Sequence, residues 1–120
     1  MGLDQNLYLC KGVAKNGLKS DNEVLDKYFR KNYPLHRSVE YICNQGNSTN
    51  VEYIWISKEQ WELIKKNMKP TKKNIKAWQE AEEKDEEWIK DDLKEFGEAV
   101  KEIEAHSEFK TGAICYYSWW

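Results

Sequence analysis

The chain has 120 residues, a formal net charge of −2 and 40% hydrophobic residues, which suits one domain spanning 1–120 around one core. No apolar run reaches membrane-spanning length, and there is no glycine-rich phosphate loop, paired-cysteine knuckle or Gly-x-Ser-x-Gly elbow. Cys10, Cys43 and Cys115 are odd in number and far apart, so the expectation is reduced thiols in a cytoplasmic protein; the polar start (Asp4, Gln5, Asn6) is unlike a secretion signal.

Leu3 to Cys10 reads as a strand, with Leu3, Leu7 and Leu9 on one face and Tyr8 and Cys10 on the other. Gly12 and Gly17 break the following loop. Ser20 with Glu23 forms a capping box, and Val24, Leu25, Tyr28 and Phe29 have helical spacing, so a helix is expected from Ser20 to about Asn32. Pro34 stops it and suits the first turn of a second helix carrying Leu35, Val39, Ile42 and Cys43. Gly46 to Asn50 is a polar loop.

Val51 to Ile56 is apolar on both faces, which predicts a central strand. Ser57 and Gln60 form a capping box for a helix with Trp61, Ile64 and Met68 as its buried stripe, ended by Pro70. Lys72 to about His106 is helical in composition. Ile89, Leu93, Phe96, Val100 and Ile103 make a stripe, while the apolar pattern fades between Glu80 and Glu87, where the helix projects into solvent or breaks. Gly97 inside the stripe suggests close packing. Gly112 to Trp119 is a last strand, with Cys115, Tyr117 and Trp119 opposite Ile114 and Tyr116. The expected fold is α+β: a small antiparallel sheet of about three strands with three to four helices packed on it, the last long and acidic. Tyr8, Trp55, Trp61 and Tyr117 are expected to contribute to the core.

Charge is segregated along the chain. Residues 58–78 hold seven Lys against two Glu, and residues 79–108 hold thirteen carboxylates against four Lys. Lys65, Lys66, Lys69, Lys72, Lys73 and Lys76, with Trp78 nearby, form a candidate RNA-contacting surface, and Arg30, Lys31 and Arg37 form a second basic group. Glu83, Glu86 and Glu87 belong to an acidic helix that suits a basic channel on another protein. Solvated helix faces account equally for both runs.

Signals for chemistry are sparse. His36 and Cys43 are two helical turns apart, too far for a nucleophile–base pair. His106 fits a helix C-terminus. Two His without paired Cys or spaced carboxylates make no zinc site, and the run from Glu80 to Asp92 lacks the loop spacing of a calcium site, so no metal or other cofactor is expected.

Three segments together resemble a family of small phage- and prophage-encoded proteins: Met1-Gly2-Leu3-Asp4 followed by Leu7-Tyr8-Leu9, Tyr28-Phe29-Arg30-Lys31-Asn32 running into Leu35-His36, and Tyr116-Tyr117-Ser118-Trp119. That family begins Met-Gly-Leu-Asp, carries an aromatic-aromatic-Arg-Lys segment before a Leu-His, and ends in an aromatic-rich strand with Ser and Trp. The resemblance implies a setting, mobile genetic elements, and no particular reaction. Small phage proteins without an active site often bind a host machine, and anti-CRISPR inhibitors are one such class. The expectation is a non-enzymatic binding protein that inhibits a bacterial defence system such as an RNA-guided nuclease, in the host cytoplasm, by binding the nuclease or its guide RNA. The alternative is a small enzyme acting on a nucleotide or nucleic acid, with His36 as general base and Arg30 holding phosphate.

Overall fold

A computed structural model describes residues 2–13 and 22–120. Four strands form one antiparallel sheet: β1 (Asp4–Cys10), β2 (Glu23–Arg30), β3 (Tyr53–Ile56) and β4 (Ala113–Trp119), in the order β2-β1-β4-β3. Four helices, α1 (Tyr33–Asn44), α2 (Lys58–Met68), α3 (Lys72–Glu82) and α4 (Glu86–Ala105), complete an α+β fold. The sheet thus has four strands where about three were expected.

The additional strand is β2, in the segment expected to be helical. Val24, Leu25, Tyr28 and Phe29 are also strand-forming residues, and pairing with β1 from Asp4↔Arg30 to Leu9↔Leu25 decides between the two periods. Leu25 and Phe29 then share the helix-covered face, and Asp26, Tyr28 and Arg30 the other. The Ser20 cap falls outside the described residues.

The second correction concerns Val51–Ile56, which is not central. β3 lies at the sheet edge, paired only with β4 among the described strands, and it is shorter, Tyr53–Ile56. Its two-faced apolarity has another cause. Ile54 and Ile56 face the main core, and Tyr53 and Trp55 pack against a second aromatic cluster on the opposite face. Burial on both faces therefore resembles the pattern of a central strand. Strands β1 and β4 occupy the centre instead.

The main core fills the space between sheet and helices, with Leu7, Leu9, Phe29, Ile114 and Tyr116 from strands and Leu35, Val39, Trp61, Ile64, Leu93, Phe96 and Ile103 from helices. Trp61 is fully buried, its ring centroid 5.7 Å from that of Phe96, and its indole N–H donates to Glu104 at 2.9 Å. The other expected aromatics, Tyr8, Trp55 and Tyr117, lie on the opposite face in a cluster with the strand residues Tyr53, Cys10 and Cys115.

Local signals hold at the helix starts. Asn32 caps α1 by accepting from the Leu35 N–H, Pro34 sits in its first turn, and Ser57 and Gln60 cap α2 reciprocally. The segment 72–106 breaks where its apolar pattern fades. Glu83 adopts a left-handed conformation, and its N–H closes α3 on the Gln79 carbonyl before α4 begins. Among the described residues no helix is long and apolar enough to cross a membrane.

The two glycines of interest exchange roles. A Cβ on Gly97 would meet nothing within 4 Å, contrary to the close packing expected there, whereas one on Gly112 would meet the Cys10 and Glu108 carbonyl oxygens at 2.5 Å. Gly97→Ala should therefore stabilise the fold by about 0.5–1 kcal/mol, as an alanine gains over glycine in a helix. Gly112→Ala should destabilise it by about 1–3 kcal/mol through overpacking. Urea denaturation of both variants checks the opposite signs.

Candidate functional site

Two regions hold concentrated polar or aromatic chemistry. The first is a cleft of about 380 Å³ lined by residues that include Tyr33, His36, Arg37, Glu40 and Trp120. Helix α1 presents His36, Arg37 and Glu40 within one turn, and Pro34 and the Asn32 cap set its entry. His36 is buried, and both ring nitrogens are taken: Nδ1 lies 2.8 Å from the Tyr116 hydroxyl and Nε2 lies 3.0 Å from Glu40 Oε2. Gln5 donates from Nε2 to the Tyr116 oxygen and to the Asn32 carbonyl, both at 3.0 Å, and accepts the Asn32 N–H at 2.8 Å.

These partners fit a neutral imidazole. Nε2–H donates to the Glu40 carboxylate, and Nδ1 accepts the Tyr116 O–H. Burial, aided by the Arg37 charge, lowers the His36 pKa against the opposing pull of Glu40. Burial also raises the Tyr116 hydroxyl. The Nδ1 lone pair thus faces the fully buried Tyr116 hydroxyl. Cys43 offers no nucleophile, since burial pushes its thiol up to about 11. Arg30, given the phosphate in the enzyme reading, lies on the far face of the sheet opposite Asp4; the guanidinium beside His36 belongs to Arg37, which pairs with Glu40 and with Glu82 across to α3, both at 3.5 Å.

The second region is the sheet face that carries the aromatic cluster. Tyr53 and Tyr117 stack with ring centroids 4.4 Å apart, and Trp119 follows at 5.7 Å from Tyr117. Tyr28 shares this face from β2, is 54% exposed, and donates its hydroxyl to Asp4. Asp26 accepts the Asn6 side-chain amide at 2.6 Å. Arg30 completes the row of Asp4 and Trp119.

The lysines expected to bind RNA lie along α2, its C-cap and α3. Lys65 is held between Glu62 and Glu104. Lys66 and Lys69 share a depression with Glu62 and Lys65, and Lys72 and Lys76 share another with Glu80, Glu86 and Lys90. Lys73 is exposed. Trp78 packs against the core, and its indole N–H donates to the Asn67 carbonyl at 2.9 Å. Lys31, in a left-handed conformation, bonds its N–H to the Leu3 carbonyl at the end of the sheet. Of the acidic group, Glu83 forms the α3–α4 corner, Glu86 pairs with Lys90 at 3.1 Å, and Glu87 is exposed in the first turn of α4. The exposed Trp88 follows Glu87, with the Lys84 ammonium 5.4 Å from its ring centroid.

Sequence reading missed Gln5, Glu40 and Tyr116 as one network, and the Tyr53–Tyr117 stack. The alternation in β4 hinted at the stack; the strand registers complete it. No group of three or more metal-ligating side chains occurs among the described residues.

Two outcomes test this geometry. Tyr116→Phe leaves His36 Nδ1 buried without its partner, at a cost of about 1–3 kcal/mol in urea denaturation. Asp92 on α4 has its pKa raised from 3.8 to about 7, first by burial, then by Glu95, Asp91 and Glu82, with Lys84 opposing. The folded state therefore holds a proton that the unfolded state has released, and stability falls as pH rises from about 4 to 7. Asp92→Asn should raise Tm at pH 8 and leave it unchanged near pH 4, by calorimetry.

Comparison with protein-family models, with curated proteins and with solved structures finds nothing that matches this chain.

Proposed function

We propose that the chain is a non-enzymatic binding protein of the phage type, acting in the bacterial host cytoplasm as an inhibitor of a defence system, with an RNA-guided nuclease as its partner. The observation that carries the reading is the row of Tyr53, Tyr117 and the exposed Trp119, with the exposed Tyr28, on one sheet face. Tyr and Trp side chains held rigid on a sheet give large amphipathic contact areas at little entropic cost, which is how interface anchors work. The setting comes from the resemblance to phage-encoded proteins.

The distribution of charge favours the nuclease protein over its guide RNA. Asp4 and Asp26 accompany Arg30 on the aromatic face, Lys65 is paired with Glu62 and Glu104, and Lys72 and Lys76 share a depression with Glu80 and Glu86. A phosphate backbone is best met by cations without such neighbours. A basic nucleic-acid channel on a protein suits this mixed, acidic-edged surface. In the rival enzyme reading the hydroxyl on His36 Nδ1 is that of Tyr116, which is fully buried.

Affinity capture from a host that carries such a system, with and without ribonuclease, should retain the nuclease in both cases. With the purified nuclease, the double variant Tyr53→Ser, Trp119→Ser should bind at least about tenfold more weakly, a loss typical of interface anchors. The triple variant Lys66→Glu, Lys69→Glu, Lys73→Glu should bind nearly as well as the unaltered protein. Retention that needs intact RNA and is lost in the triple variant would move the site to the lysines. Capture of neither nuclease nor RNA would end the proposal.

A further inference from the structure

Strand β2 lies at the sheet edge, and its hydrogen-bonding direction follows from one contact. The Lys31 N–H donates to the Leu3 carbonyl at 2.7 Å, so residues 31 and 3 form a hydrogen-bonded pair. Antiparallel pairs alternate. Phe29, Lys27 and Leu25 therefore turn their backbone groups to β1, and Asp26, Tyr28 and Arg30 turn their N–H and C=O outward. All three residues are exposed, and no strand pairs with this edge among the described residues. Protected edges carry proline, a bulge, charged side chains or a short strand. This one has eight residues and no proline, its one irregularity, between Leu9 and Cys10, is at the far end, and its charges, Asp26 and Arg30 on one face and Lys27 on the other, flank the outward backbone groups.

Beside the edge, on the helix side, runs a groove of about 210 Å³ between β2 and α4, lined by Tyr28, Phe29 and Ala99 and by Glu95, Glu98 and Glu102. Lys27 also lines it and is paired with Glu102. Glu95 accepts from the Asn32 amide at 3.3 Å, yet burial and the Glu98 charge keep its pKa raised. Outward backbone groups and uncompensated carboxylates thus sit side by side.

We infer that the β2 edge and the α4 groove bind an extended, lysine- or arginine-bearing segment of a partner protein by strand addition. Backbone hydrogen bonds to Asp26, Tyr28 and Arg30 hold the strand, and alternate side chains point at Glu95 and Glu98. This rests on the reading of the chain as a protein-binding protein, and it names the partner's chemistry. A second copy in the same place would bring the carboxylates of two α4 helices together, and RNA would bring phosphates to them; like charge opposes both.

The test uses fluorescence anisotropy with three labelled probes: a short peptide of alternating threonine and lysine, its threonine–glutamate counterpart, and the lysine peptide N-methylated at alternate amides so that it cannot complete the ladder. The lysine peptide should bind at least about tenfold more tightly than either of the others, a gap of about 1.4 kcal/mol. The double variant Glu95→Gln, Glu98→Gln should lose most of that preference while keeping its Tm. Equal binding of all three probes overturns the inference. So does an N-methylated probe that binds as well as its parent, or sedimentation of the free protein as a dimer that the peptide does not split. If the peptide fails while the nuclease is still captured, this inference falls and the binding function stands. If the peptide binds and no nuclease is captured, the edge site stands and the proposed partner falls.

Discussion

The fold depends on one long-range pairing, that of β1 with β4, which sets Asp4 opposite Trp119 and Cys10 opposite Ala113. Closing so long a loop costs entropy that local contacts cannot return. What offsets it is burial on both faces of the pair. Leu7, Leu9, Ile114 and Tyr116 enter the main core, while Tyr8, Cys10 and Cys115 enter the aromatic cluster behind it. The edge strands β2 and β3 are then placed by pairing with a centre that this contact creates.

The same pairing organises the buried polar groups. Gln5 on β1 and Tyr116 on β4 project to the helix side and meet His36 on α1 through a shared hydroxyl. Glu40 continues the chain to the Thr49 N–H, and Thr49 lies 3.4 Å from Ser118. A satisfied network of this kind fixes α1 against the sheet in one arrangement, because a shift would strand several buried groups at once. His36 therefore has a structural occupation.

Charge behaves differently in the chain and in the molecule. Along the sequence a basic block precedes an acidic one, whereas in three dimensions Lys65 bridges Glu62 and Glu104, Lys90 meets Glu86, and Lys27 meets Glu102. Packing of α4 against α2 joins the two blocks through Lys65 and Glu104. Glu95 and Glu98, two carboxylates in no ion pair among the described residues, were hidden inside an amphipathic pattern and lie beside an open strand edge.

Residue pattern alone determined the features governed by neighbours a few positions apart. These include the Ser57–Gln60 capping box, the Pro34 start of α1, the core stripe of α4 from Ile89 to Ile103, and the strands at Leu3–Cys10 and Gly112–Trp119. Each rests on backbone geometry or on a period that the sequence displays directly. Tertiary structure alone decided the remainder. Val24 to Phe29 fits a helix and a strand equally well until β1 offers a pairing partner. The apolar faces of β3 show burial without showing whether a neighbouring strand or an aromatic cluster supplies it. The His36 network and the β2–α4 groove join residues from distant segments, and no local period encodes which distant groups will meet, because that is settled by the register and packing of the assembled sheet.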